Sequence, residues 1–112
     1  MPEISPTVLT QIADYFKILS EVSRLQILNC LRSGAKSVTE IVNATGLSQA
    51  NTSRHLKVLM QAGMISRQAQ GVSVYYQIGD PLIFELCELV CDRLAVRLLE
   101  QTKQLEQLKK SS

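Results

Sequence analysis

Residues 37–64 read SVTEIVNATGLSQANTSRHLKVLMQAGM, and the spacing of caps, glycines and apolar positions in this stretch decides the fold. Ser37 and Glu40 form an S-x-x-E capping box, which satisfies orphan amides at the start of a short helix. That helix is expected to run to about Ala44, where Gly46 supplies a turn. Ser48 caps a second helix, and Gly63 stops it by taking the left-handed conformation that suits glycine. Two helices joined by a tight glycine turn make a helix-turn-helix over about residues 37–63.

The second helix has two chemically different sides. At ~100° per residue, Thr52, Leu56 and Leu59 share one side. Ala50, Ser53, Arg54 and Lys57 point away from it, with Gln49 and Asn51 at the flanks. The outer side is small, polar and basic, and its amide side chains suit base edges. No Asp or Glu lies between Glu40 and Asp80, whereas Arg54, Lys57 and Arg67 bring three positive charges to a chain whose net charge is only +2. Positive charge is therefore concentrated where a polyanion would bind.

At 112 residues the chain is read as a single domain, 1–112, with room for a modest core but not for a deep enclosed cleft. Its 46% hydrophobic and 20% charged content fits a globular protein. Three cysteines are an odd count without framed pairs, which points to reduced thiols and a cytoplasmic location. Glu3 and Asp14 interrupt the N-terminal region, so no signal peptide is read there. No apolar run approaches the roughly 20 residues that span a membrane, so no membrane partner is expected.

Upstream of the helix-turn-helix, residues 1–5 are read as frayed. Val8, Leu9, Ile12, Ala13, Phe16 and Leu19 then recur at helical spacing from Pro6 or Thr7 onward. Ser20 is the expected cap of a second helix bearing Val22, Leu25, Ile27, Leu28 and Leu31, with Gly34 at its end. Downstream of Gly63 the period changes to two. Ile65–Ala69 is expected as a strand, Gln70-Gly71 as the turn, and Val72–Ile78 as the returning strand. A hairpin over about 65–78 directly after a recognition helix is the wing of a winged helix, where Arg67, Gln70 and Ser73 could reach phosphate. Asp80-Pro81 opens a last helix, 80–107, with a cap acceptor followed by proline. The fold expected is mainly α with a small β-hairpin, in the order α-α-α-α-β-β-α. Ile83, Leu86, Cys87, Val90, Cys91, Leu94 and Leu98 make an apolar surface too wide for one small core. That surplus points to a homodimer formed by the last helix together with Leu9, Ile12 and Phe16 of the first.

Arg24-Leu25-Gln26-Ile27-Leu28, Leu47-Ser48-Gln49, Ser53 through Leu59, Ala62-Gly63-Met64-Ile65 and Val74-Tyr75-Tyr76 together resemble the ArsR/SmtB family of bacterial winged-helix repressors. The likeness covers roughly residues 8–98. It implies a homodimer whose first and last helices pair, and a repressor released from double-stranded operator DNA by an inducer. It also implies that Gln49, Ala50, Asn51, Ser53, Arg54 and His55 face DNA; Ser48, Lys57, Arg67 and Gln70 complete the expected contact set. His55 carries two readings, because helical arithmetic sets it beside the core stripe. It is either a packing histidine that hydrogen-bonds nearby backbone or a contact to a phosphate or base of DNA.

The metal sensors of that family carry a cysteine motif at the start of the short helix. Ungapped counting places Ser37 and Thr39 at its cysteine positions, so a soft-metal thiolate site is not expected there. A second sensor site on the last helix would correspond to Asp80, Leu82, Arg93 and Val96, of which only the aspartate matches. Cys30, Cys87 and Cys91 remain. Cys87 and Cys91 stand four apart on one helical side, so they either pack in an apolar stripe or sense thiophilic metals, metalloids or oxidants, with Cys30 as a further thiol. No cofactor is required, and a thiol-bound ion is the one candidate. No nucleophile–base pair, phosphate loop or carboxylate pair is present, so an enzyme is not expected. The competing class is a winged helix used for protein contact alone.

Overall fold

A computed structural model describes residues 3–111, which divide into two compact units at Asp80/Pro81. The first unit holds α1 (Pro6–Ile18), α2 (Val22–Leu31), α3 (Val38–Thr45), α4 (Gln49–Gln61), β1 (Ile65–Gln70) and β2 (Ser73–Ile78). The second is a single helix, α5 (Leu82–Ser111). The element order is the one the sequence pattern predicts.

The core of the first unit is built where three helices and the base of the hairpin meet. Ile27, Leu28 and Leu31 of α2 are buried with Ile41 of α3, Leu56 and Leu59 of α4, and Met64 and Ile65 at the entry to β1. Each buried aliphatic side chain contributes on the order of 2 kcal/mol of transfer free energy, so these eight side chains are the main favourable term holding the helices together. The capping box forms as read. Ser37 Oγ accepts from the Glu40 amide at 3.2 Å, and Glu40 Oε1 accepts from the Ser37 amide at 3.1 Å.

β1 and β2 pair antiparallel in a register that runs from Ile65↔Ile78 to Gln70↔Ser73. The turn is therefore Gly71-Val72, one residue later than the Gln70-Gly71 expected, and β1 gains Gln70. Gly71 takes φ +62 while Val72 does not go positive, the sign pattern of a type II′ turn whose twist suits a hairpin. β2 is supported on its other edge too. The Lys36 amide donates to Tyr76 O at 2.9 Å and the Tyr76 amide donates to Lys36 O at 2.8 Å, so the α2–α3 loop adds a one-residue rung to the wing. Lys36 Nζ also donates to Cys30 O at 2.9 Å, placing a cation on the carbonyl end of α2.

Four boundaries differ from expectation, one being the start of α5 at Leu82, so that Pro81, expected as its first helical residue, precedes it. Ser5, read as frayed, caps α1 by accepting from the Val8 amide at 3.3 Å. Glu21 rather than Ser20 is the N-cap of α2; the Ser20 hydroxyl is used up in closing α1, donating to Lys17 O at 2.6 Å. The last helix continues past Gln107 to Ser111, with the good helix formers Leu108, Lys109 and Lys110 among its added residues.

α1 has no buried residue, and Val8, Leu9, Ile12 and Phe16 are exposed along it. On α5, taken by itself, Leu89, Val90, Leu94, Val96, Leu98, Leu99, Leu105 and Leu108 are exposed, and Leu86 is half-buried. Ile83, expected at a dimer interface, is fully buried. Among the described residues, no helix is long and apolar enough to cross a membrane.

Candidate nucleic-acid interface

The turn between α3 and α4 aims the next helix. Gly46 takes φ +75, in the left-handed region that an L side chain rarely adopts, and its amide donates to Val42 O at 2.9 Å. Ser48 then caps α4. Its Oγ accepts from the Asn51 amide at 3.1 Å, and its carbonyl accepts from Thr52 Oγ1 at 2.8 Å.

With both ends fixed, α4 sorts its residues by side. Thr52, His55, Leu56 and Leu59 are buried, while Gln49, Ala50, Asn51, Ser53, Arg54 and Lys57 are exposed. Ser48 is exposed at the helix start, although its hydroxyl oxygen is already engaged by the cap. No acidic residue sits in the first turn of α4, so the positive end of the helix dipole is not offset there. The helix thus offers amides, a guanidinium and an ammonium outward, the donors that phosphates and base edges accept from.

The hairpin adds a second polar surface. Side chains alternate along β1, so Arg67 lies with Ile65, Ala69 and Tyr76 on one face, and Gln70 lies on the other. Arg67 and Gln70 are both exposed, but they are not neighbours on one face. Gln70 shares its face with Ser66, Gln68, Ser73 and Gln77, all exposed. Gln68 and Gln77 are not in the set expected from the sequence, although the period-two alternation places them on the face of Gln70 and Ser73.

His55 turns inward: it is 3% exposed, on the packed side of α4, and its hydrogen-bond partner is a side chain rather than the backbone expected. Arg24 Nε donates to His55 Nδ1 at 3.3 Å, and Arg24 Nη1 donates to Ile18 O at 3.2 Å. Arg24 Nη2 lies 3.6 Å from Glu21 Oε1, and Glu21 Oε2 lies 3.7 Å from His55 Nδ1. Burial, then the Arg54 charge, push the His55 pKa below its ordinary value of 6.5; Glu21 opposes and Arg24 adds to the depression. The ring is therefore neutral, Nδ1 accepts from Arg24, and the Glu21 contact is not an ion pair with a charged imidazole.

Cys87 and Cys91 are exposed on α5, one helical turn apart, and Cys30 is half-buried on α2. Packing in the chain's own core is thus not the role of Cys87 or Cys91. Among the described residues, no group of three or more His, Cys, Asp or Glu side chains could hold a metal ion.

Comparison with known proteins agrees with this geometry. The family model described as bacterial regulatory protein, arsR family, matches residues 21–67, from the cap of α2 into β1. The uncharacterized HTH-type transcriptional regulator Rv0081 of Mycobacterium tuberculosis is 34% identical over 98 residues, covering 87% of this chain and 86% of that one. Its crystal structure superposes with a TM-score of 0.78, covering 88% of this chain and 99% of that one. A homodimeric winged helix-turn-helix DNA-binding domain from Mycobacterium bovis, described as a possible ArsR-family transcriptional regulator, is 32% identical. It matches with a TM-score of 0.69 over 82% of this chain and 91% of that one. A probable mercury resistance operon repressor of Streptomyces lividans is 32% identical over 77 residues, which are 69% of this chain. The match spans 62% of the repressor's own length.

Proposed function

Since this chain belongs to the ArsR family of bacterial regulatory proteins and is a DNA-binding transcriptional regulator rather than an enzyme, we propose that it acts as a cytoplasmic homodimeric repressor of its own operator. The observation that carries this reading is the outward side of α4, where Gln49, Ala50, Asn51, Ser53, Arg54 and Lys57 are exposed together with no acid among them. Ser48 at the helix start adds to this surface, the wing offers Arg67 on one face and Gln68 and Gln70 on the other, and His55 supports α4 from within. Dimerisation through α1 and α5 accounts for the exposed apolar side chains of both helices, with Leu9, Ile12, Phe16, Leu86, Cys87, Val90, Cys91, Leu94 and Leu98 as the contact set. A two-fold dimer sets two recognition helices on successive major-groove turns.

The release signal we propose is thiophilic: a soft metal ion, a metalloid or a thiol oxidant acting on Cys87 and Cys91. Two exposed thiols one turn apart on the proposed dimer helix favour it, as does the name of the mercury resistance relative. Ser37, Thr39, Leu82, Arg93 and Val96 stand where the family's standard sensor sites need ligands, so such a site would be a different one.

Fluorescence anisotropy with the gene's upstream duplex tests both parts. Reduced protein is expected to bind with a steep salt dependence, because phosphate contacts release counterions. Arsenite, mercuric ion, cadmium or peroxide should release it, and changing Cys87 and Cys91 together to Ser should abolish that release. Salt-independent or absent DNA binding would leave the protein-contact module as the reading. Binding that ignores every reagent would remove the thiol signal alone.

A further inference from the structure

We propose that Arg24 is the positioning residue of the DNA-reading site: one guanidinium ties α4, through His55, to the last turn of α1 and the cap of α2. The inference rests on the DNA-binding reading above. It concerns a residue that lies outside the helix-turn-helix and does not itself belong to the polar surface.

The geometry singles Arg24 out. Its Nε holds His55 Nδ1, its Nη1 holds the Ile18 carbonyl, and its Nη2 faces Glu21, so three segments converge on one side chain. A guanidinium is planar and its donors leave in fixed directions, so three partners held at once define a relative position rather than a mere attraction. The Arg24 side chain is 12% exposed, so solvent competes little for these contacts.

The His55 end gives the clamp its bearing on recognition. His55 follows Arg54 directly in the chain, and at ~100° per residue the buried ring and the exposed guanidinium leave α4 on different sides. Rotating or sliding α4 against the core therefore moves His55 and the outward residues as one body. Base readout tolerates displacements of roughly 0.5 Å or 10–20°. Apolar packing of Leu56 and Leu59 is non-directional and resists such small motions weakly, whereas the Arg24–His55 bond is directional. At its other end the clamp grips the helix that bears Val8, Leu9, Ile12 and Phe16, so the proposed dimer helix and the recognition helix share one anchor.

The test uses the full chain with Arg24→Gln, Arg24→Lys, His55→Gln and the double variant Arg24→Gln/His55→Gln. Anisotropy is read on two labelled duplexes of about 30 base pairs, long enough for half-sites one turn apart. One duplex is the gene's upstream region and the other a scrambled sequence of equal composition, each at several salt concentrations. Arg24→Gln is expected to lose about tenfold in affinity for the upstream duplex, the size of one lost base contact. Affinity for the scrambled duplex and the salt slope should stay unchanged. Arg24→Lys, which keeps the charge and the fold but offers a single donor point, should show the same selective loss. The double variant should be no worse than Arg24→Gln, because both changes cut one link.

Equal weakening on both duplexes would mean that Arg24 only maintains the folded fraction, and the inference would fall. A salt slope reduced by about one would make Arg24 itself a phosphate contact and overturn it equally. Additive losses in the double variant would separate the two residues and do the same. A wild type that does not prefer its upstream duplex would instead remove the functional reading, and the inference with it.

Discussion

α4 and α5 are both helices with one apolar side, yet their apolar sides meet opposite fates. On α4, Thr52, His55, Leu56 and Leu59 are buried, and what remains outside is polar and basic. On α5, Leu89, Val90, Leu94, Leu98 and Leu99 remain outside. The difference teaches what each helix lacks. A polar, cationic exterior is satisfied by water and counterions until a polyanion displaces them. An exposed row of leucines is satisfied only by another apolar surface, at roughly 25 cal/mol for each Å² covered. One helix is complete as a fold and open as a reader; the other is open as a fold.

Breaking that contrast on the α5 side should have the largest effect. Leu94→Glu with Leu98→Glu alters only exposed positions, so the core of the first unit stays intact. The expected outcome is a particle of half the mass in light scattering and operator affinity lower by about a hundredfold, since two linked half-site contacts become independent. Unchanged mass would show that α5 is covered by something else. Next in size, Arg54→Ala should cost about 1–3 kcal/mol of operator binding, read by anisotropy, with mass and thermal stability unchanged. That result would sharpen the contrast, because a change on α4 would touch reading without touching assembly. Smaller still, Ser48→Ala removes the acceptor for the Asn51 amide and should lower unfolding free energy by ~1 kcal/mol in a urea titration.

Smallest is a dependence on pH. The folded state favours neutral His55, so the unfolded chain binds more protons as pH falls below 6.5. The stabilisation is full above 6.5 and is lost as pH drops through the depressed folded value. Glu21, Arg24 and Arg54 are the charged groups that face the ring. Thermal melts between pH 8 and pH 5 should show this loss in the wild type and lack it in His55→Gln; the same loss in both would place the titration elsewhere.

Most of the first unit was legible because its signals are local. Ser37 with Glu40, Gly46, Ser48 and Gly63 each act within a few residues of their own position, and each does what spacing implies. His55 was not decided by spacing. Helical arithmetic set it beside the core stripe, and what settled its direction was Arg24, 31 residues away in sequence. The Lys36–Tyr76 rung left no pattern either, because a one-residue ladder has no periodicity. Their place in the hairpin drew attention to Arg67 and Gln70, whereas strand alternation shows that they lie on different faces and brings in Gln68 and Gln77.

The base of the hairpin carries a lesson for anyone who would retarget this protein. The Gly79 amide donates to Met64 O at 2.9 Å, and a Cβ at Gly79 would meet Gly63 O at 3.0 Å. Two backbones are thus seated against each other so closely that a side chain would require them to shift by a few tenths of an ångström, and Lys36 braces the neighbouring edge. At the far end, Val72 is 105% exposed. An engineer grafting longer or differently charged loops has one permissive address, the Gly71-Val72 tip, while insertions at the root would unseat the hairpin from the helix it accompanies.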